Sequence, residues 1–286
     1  VVNNLPSYKK VLQVNENYAR DNGKEPSAIK QLLMHHGPLT ATEYYLRQAD
    51  AMDDANYQAF LKDVDAYIKN DVPVQHLIGY EIFFGHPFKV NQDVLIPRFE
   101  TEELVTHTLD YIDTFFFHKK LRIADIGTGS GCIGLTLKKE SPELSLTCTD
   151  ISKKALKVAA ENAQALDVDA TFLDGNMCEP LGGLDKFDII VSNPPYLKDT
   201  EPIAPIVKDH EPSEALYGGV DGLVYYRQLF NTVEPILNTP YMIALEHGYD
   251  TAKPIRKLIK KTLKDVTIVQ KKDMQGRDRM TFVFKK

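Results

Sequence analysis

Residues 192–196 read Ser-Asn-Pro-Pro-Tyr and directly follow the apolar run Phe187-Asp188-Ile189-Ile190-Val191. That run is short, rich in β-branched residues and bounded by prolines, which predicts a buried parallel strand ending at Asn193. In open α/β sheets, ligands sit at the carboxyl ends of the strands. Pro194 and Pro195 fix two φ angles and remove two backbone donors, so no neighbouring N–H competes for the carbonyls of Asn193 and Pro194. An Asn side-chain oxygen and a fixed carbonyl are the two acceptors that would grip both hydrogens of a planar NH2 group. Tyr196 would pack on the flat face of that group, with Pro195 completing the binding surface. The same residues also read as a proline-rich turn closing a strand, and a second motif upstream weighs against that alternative.

That motif is Asp-Ile-Gly-Thr-Gly-Ser-Gly-Cys-Ile-Gly at 125–134, placed between a predicted strand and a predicted helix. Gly127, Gly129 and Gly131 let the backbone turn sharply and approach a ligand closely. Gly129, Gly131 and Gly134 also have the GxGxxG spacing of a dinucleotide site, with Asp150 about 20 residues further on as the ribose-binding acid. Asp125, two positions before the first glycine, would place negative charge near a pyrophosphate. A sulfonium ligand with cationic groups and no phosphate suits that acid better. S-adenosylmethionine is therefore the expected cofactor, with S-adenosylhomocysteine as its product. Asp125, Gly127, Thr128, Gly129 and Gly131 would line its site. Asp150 and Ile151 would meet the ribose, Asp174 the adenine edge, and Asn193 would border both cofactor and substrate. Asp150 also reads as an acid at the start of a helix after Ser152.

Composition bounds the rest. A chain of 286 residues with 43% hydrophobic and 26% charged content predicts an ordinary globular protein of about two domains. A net charge of −6 argues against broad, non-specific nucleic-acid binding, and no direct nucleic-acid partner is expected. Cys132, Cys148 and Cys178 lack CxxC spacing, and adjacent His35 and His36 diverge on a helix, so no metal site is expected. The first ten residues lack a signal peptide's apolar core, and no apolar run approaches the roughly 20 residues of a membrane span. A cytoplasmic protein with no membrane partner is expected.

Residues 1–72 read as a helical bundle with breaks at Gly23 to Pro26, Gly37-Pro38 and Asp53-Asp54. Tyr44, Tyr45 and Leu46 are among its inward residues. Residues 73–97 read as a β-hairpin linker, with strands on either side of Gly85-His86-Pro87. Thr101, or a residue just before it, is expected to cap a helix running to about Phe117, with Glu100, Glu102 and Glu103 in its first turn. From Leu121 the pattern alternates strand and helix, with strands at 122–126, 145–149, 171–173, 187–191, 242–245, 266–269 and 281–284. Such alternation predicts an α/β fold, a mostly parallel, Rossmann-like seven-stranded sheet over residues 98–286. One helix is expected over 223–237. The segment 197–219, with Pro202, Pro205 and Pro212, is too long for a plain connector and is expected to shape a substrate entrance.

Together, the glycine loop, Asp150 after the second strand and Asn-Pro-Pro-Tyr after the fourth resemble the class I S-adenosylmethionine-dependent methyltransferases that modify planar NH2 groups. The chain is most similar to the HemK-type protein-glutamine methyltransferases, and to their release-factor-specific members in particular. The resemblance covers nearly the whole chain, including Ile-Pro-Arg-Phe-Glu-Thr-Glu-Glu-Leu-Val at 96–105, residues 210–223 and Glu-His-Gly at 246–248. It implies that class I peptide chain release factors are the partners and that the helical bundle binds them. It implies methylation of the glutamine amide nitrogen in their Gly-Gly-Gln motif, with Asn193, Pro194 and Tyr196 at the catalytic centre. Arg98 and Glu100 fall in the family's segment flanking the active site. Phe99 departs from it, since many relatives have proline there. An adenine methyltransferase acting on nucleic acid poses the same chemical problem, and a glutamine methyltransferase acting on a ribosomal protein shares the central motifs. A catalytically inactive binding protein and a dehydrogenase are further alternatives.

Overall fold

A computed structural model describes residues 5–116 and 120–286. The chain divides into two compact units. The first comprises the chain up to Gly79 together with 204–210, and the second Tyr80 to Ile203 together with Glu211 onward.

The first unit holds α1 (Tyr8–Asp21), α2 (Ser27–His36), α3 (Ala41–Arg47), α4 (Asp54–Asn70) and α5 (Val74–Ile78). Side-chain caps start three of these helices, α3 and α4 at or just after the breaks at Gly37-Pro38 and Asp53-Asp54. Ser7 accepts from Lys10 N, Thr40 and Glu43 form a reciprocal capping box, and Asp53 accepts from Asn56 N. Ile29, Leu32, Leu33, Phe60 and Val64 form the buried centre. Of the three consecutive apolar residues on α3, only Tyr44 is buried, while Tyr45 and Leu46 are 62% and 79% exposed. Neighbours on a helix point about 100° apart, so three in a row cannot share one inward face. His36 is hydrogen-bonded to Asp63 at 2.8 Å.

The second unit opens with the hairpin β1 (Tyr80–Phe83) and β2 (His86–Lys89), then α6 (Phe99–Tyr111), β3 (Arg122–Ile126) and α7 (Cys132–Glu140). There follow β4 (Ser145–Asp150), α8 (Lys153–Leu166), β5 (Thr171–Asp174) and β6 (Phe187–Ser192). After α9 (Pro205–Lys208), a turn grouped with the first unit, come α10 (Val224–Thr232), β7 (Leu237–Glu246), α11 (Ala252–Thr262), β8 (Thr267–Lys272) and β9 (Asp278–Lys285). Residues 112–116 continue α6 as a π-helical turn, and Phe117 lies outside the described residues.

The seven strands run β5-β4-β3-β6-β7-β9-β8, parallel except for β9, which is antiparallel to both its neighbours. Strand order departs in opposite directions from β3 and β6, so the crevice beyond their carboxyl ends is the sheet's topological switch point. Ile123, Ile189, Val191 and Met242 pack in the core on one face of the sheet, and Ala124, Ile190, Ile243 and Tyr226 on the other.

Three features differ from the sequence pattern. The helix expected over 223–237 stops at Thr232, because Pro235 cannot continue it, and β7 begins at Leu237, earlier than expected. The segment 197–219 carries helical turns at Pro205–Lys208 and Ser213–Ala215. The hairpin is held within the sheet unit. Buried Asn162 of α8 accepts from Lys89 N at 2.7 Å and donates to Lys89 O and Ser130 O, while Glu102 accepts from Phe84 N at 2.8 Å. Among the described residues no helix is long and apolar enough to cross a membrane.

Because Asn162 satisfies three backbone groups that are shielded from water, Asn162→Ala is expected to destabilise the protein by about 1–3 kcal/mol. A lower denaturant midpoint at unchanged slope would show this. An unchanged midpoint would mean that water replaces the side chain without loss.

Candidate active site

A cavity of about 590 Å³ opens at the switch point, large enough to bury a nucleoside-sized ligand. Its floor is the loop after β3. Gly127 and Gly129 hold φ values of +72° and +56°, where a side chain would be strained. A Cβ built on either would meet nothing within 4 Å, so both leave open space toward the cavity. The loop's donors turn inward. Gly127 N and Thr128 N both donate to Thr149 O at 2.9 Å, Gly129 N donates to Asp150 Oδ2 at 2.9 Å, and Gly131 N donates to Thr128 O at 2.8 Å. A phosphate nest needs such amides free.

Asp125 lies beneath this loop and is absent from the cavity lining. Its Oδ2 accepts from Thr128 Oγ1 at 2.6 Å and from Gly134 N at 3.0 Å. A Cβ on Gly134 would come within 2.8 Å of that oxygen, so the third glycine serves close packing of α7 on β3. Burial pushes the Asp125 carboxyl up to about 6, against the pull of its two hydrogen bonds. Asp150 lines the cavity at the end of β4, its Oδ1 accepting from Ser152 N at 2.8 Å. Burial raises its carboxyl as well. Ile151, 67% exposed, lines the cavity beside it.

Not every expected residue faces this space. Asp174 is outside the lining, its carboxylate 3.4 Å from Lys153 Nζ at the surface, whereas the next three residues, Gly175, Asn176 and Met177, do line it. Gly131 is also outside the lining, because its missing Cβ would lie 2.6 Å from Leu135 Cδ1, under the start of α7. Cys132 lines the wall, but burial pushes its thiol up to about 12, so it holds no reactive thiolate at neutral pH.

Asn193, Pro194 and Pro195 also line the cavity. Tyr196 points elsewhere. Its ring packs beside the core on one sheet face, its hydroxyl donates to Glu246 Oε1 at 3.4 Å, and Arg279 Nη1 donates to that hydroxyl. Burial first, and then the neighbouring Glu246 carboxylate, push the phenol well above its ordinary value. Thr101 does not cap α6. The helix starts at Phe99 with Arg98 at its cap position and no side-chain cap bond, and the Thr101 hydroxyl donates to buried Glu246 at 2.7 Å. Arg98 lines the cavity and donates to Glu211 Oε1 at 2.6 Å, while Glu211 Oε2 accepts from Ile96 N at 3.0 Å. That clasp joins residues 96–98 to the wall formed by Pro212, Glu214 and Ala215. Glu100 and Glu103, expected in the first turn of the helix, where its dipole favours acids, accept from Gln275 Nε2 and Met274 N.

The comparisons with known proteins match this architecture. A family model described as "Methyltransferase small domain" matches residues 103–209. The release factor glutamine methyltransferase of Bacillus cereus is 35% identical over 268 residues, covering 93% of this chain and 94% of its own. That of Bacillus subtilis is 37% identical over 266 residues, covering 92% of each. The chain belongs to the release factor glutamine methyltransferase family. A solved methyltransferase from Pyrococcus furiosus, 18% identical, superposes with a TM-score of 0.51 over 71% of this chain and 90% of its own, a likeness of fold. The fold is that of the class I S-adenosylmethionine-dependent methyltransferases.

Within this family member, sequence reading missed Thr101, Glu246, Asn176 and the Arg98–Glu211 clasp. Glu246 was visible only as part of the Glu-His-Gly resemblance. A lone acid ending a strand carries no signal of what will face it.

Because the native Asp125 carboxyl lies near 6 and its reference value is 3.8, the fold binds a proton there that the unfolded chain releases. The stability from this group is full below about pH 4 and is lost as pH rises through about 6. Asp125→Asn keeps the acceptor for Thr128 and Gly134, so it should flatten that part of the stability profile. The difference should reach up to about 3 kcal/mol at neutral pH, read from denaturant midpoints. Parallel profiles for the two proteins would overturn this account of the buried acid.

Proposed function

We propose that the chain transfers a methyl group from S-adenosylmethionine to the side-chain amide nitrogen of the glutamine in the Gly-Gly-Gln motif of class I peptide chain release factors, in the cytoplasm. The observation that carries this reading is that Asn193 and Pro194, whose amide oxygen and carbonyl are the two acceptors the chemistry needs, line the same cavity as an open glycine floor.

The floor fits the cofactor on its own chemistry. Its amides donate inward and offer a phosphate little, while Asp125 and Asp150 make the surroundings of the loop acidic, which suits a ligand with cationic groups. Gly127, Thr128 and Gly129 would lie along it and Asp150 would accept from the ribose hydroxyls, with Ile151 beside them. Asn176 and Met177 would take the adenine end in place of Asp174, since they line the cavity and Asp174 does not. When bound, S-adenosylmethionine supplies an electrophilic methyl group on a sulfonium centre.

The protein's part is positioning. An amide nitrogen is a weak nucleophile because its lone pair is delocalised into the carbonyl. Asn193 Oδ1 and Pro194 O accept its two N–H groups, turn the lone pair toward the cofactor side of the cavity, and stabilise positive charge that develops on nitrogen until the methylated amide, now strongly acidic, loses one N–H proton to water. Pro195 keeps this pair of acceptors rigid. Tyr196 supports the turn through its hydrogen bond to Glu246. The helical unit contributes further contact with the factor, for which Tyr45 and Leu46 are exposed apolar candidates.

Radiolabelled methyl transfer to a purified release factor tests the reading, beside a version whose Gly-Gly-Gln glutamine is alanine, a ribosomal protein and DNA. Label is expected on the intact factor alone. Asn193→Ala should lower kcat by about 10²–10³-fold with little change in S-adenosylhomocysteine affinity by calorimetry. Label on the ribosomal protein or DNA in place of the factor would overturn the substrate assignment, and near-normal turnover in the variant would overturn the role of Asn193.

A further inference from the structure

We propose that Thr101 and Glu246 are positioning residues that set which end of the Asn193 amide meets the substrate. The inference rests on the substrate-amide reading above and names what orients its central residue.

Glu246 ends β7 beside β6, where Leu245 pairs with Ser192, and is 2% exposed. Its Oε2 accepts the Thr101 hydroxyl proton at 2.7 Å, and its Oε1 accepts from the Tyr196 hydroxyl at 3.4 Å. The Tyr226 hydroxyl donates to its backbone carbonyl at 2.7 Å. Thr101, also 2% exposed, lines the cavity and lies 3.4 Å from Asn193 Nδ2.

The direction of these bonds follows from proton counting. A hydroxyl has one proton, and an ionised carboxylate can only accept. The Thr101 proton goes to Glu246, so toward Asn193 the same oxygen can only accept. Asn193 must therefore present its NH2 to Thr101. The flipped amide would set two lone-pair-bearing oxygens against each other. With NH2 committed, Oδ1 is the end left for the substrate, and among the described residues no donor bonds to it. One buried carboxylate thus orders both ends of the Asn-Pro-Pro-Tyr turn, Asn193 through Thr101 and Tyr196 directly.

The arrangement depends on the charge of Glu246. Once protonated, Glu246 can donate to Thr101, which frees the threonine proton for Asn193 Oδ1 and removes the preference for one amide orientation. The groups facing Glu246 are Thr101, Tyr196, Arg279 and Glu100, and burial outweighs the favourable contacts in raising its carboxyl. Activity should accordingly fall with decreasing pH above the usual glutamate range.

The experiment compares Thr101→Val, Thr101→Ser and Glu246→Gln in the full chain, alone and combined with Asn193→Ala. Thr101→Val is expected to lower kcat about tenfold or more, with S-adenosylhomocysteine affinity unchanged, and Thr101→Ser to restore it. In the Asn193→Ala background Thr101→Val should cost nothing further, because its effect passes through Asn193. Glu246→Gln should abolish the acid limb of the kcat profile. An equal loss from Thr101→Val with and without Asn193, or an acid limb that survives Glu246→Gln, would overturn the inference. Wild-type protein that labels no release factor would instead sink the substrate reading. The inference would then be decided by the Asn193 side-chain amide resonances, expected to shift in Thr101→Val and Glu246→Gln but not in Thr101→Ser; unshifted resonances would end it.

Discussion

Glu246 is a carboxyl buried at the carboxyl end of a central strand, and such a group is held there only where hydrogen bonds replace the water it has lost. Two of its replacements are hydrogen bonds, from Thr101 in the first turn of α6 and Tyr196 in the turn after β6. The third is the nearby charge of Arg279 on β9, whose guanidinium donates to the Tyr196 hydroxyl. The solvation of one carboxylate therefore brings the helix start, the proline turn and the antiparallel strand β9 into register. Packing places the backbone of β6. This polar cluster places the atoms at its end.

The glycine loop shows how one spacing supports different ligands. Three glycines after a strand are shared with dinucleotide folds, and the spacing alone does not discriminate between them. What discriminates is where the backbone amides point. Here Thr149 O and Asp150 take them, and Asp125 braces the loop from below, so the floor offers shape and acidity where a pyrophosphate needs free donors. The residue that argued against a dinucleotide on grounds of charge turns out to be structural, and its charge still sets the character of the site.

Much of this was legible in the chain itself. Alternation of strand and helix carries the parallel sheet, and Asn193, Gly127, Gly129 and Asp150 fall where strand ends meet, because strand-to-loop transitions are written locally in glycine, proline and acid. Side-chain direction is not written locally. Thr101 at a helix start reads as a cap, and only the fold shows that a buried acid 145 residues away takes its proton. Asp174 and Asn176 are two positions apart, and the turn through Gly175 at φ +155° decides which of them faces the cavity. Helix α10 ends before Pro235 although the apolar pattern runs on past it. Tyr196 was assigned to the substrate from its neighbours, yet its ring follows the nearest apolar core.

The grouping of residues 204–210 with the amino-terminal helices gives the chain an interwoven covalent path. It leaves the helical unit at Gly79, re-enters at Ala204, where Ile206 joins that unit's apolar core, and leaves again after His210, just before the cavity wall at Pro212. The helical unit is therefore not a detachable cassette. Excising it at a single cut would strand an apolar turn on the segment that builds the cavity wall, so the two units must be inherited, and engineered, as one piece.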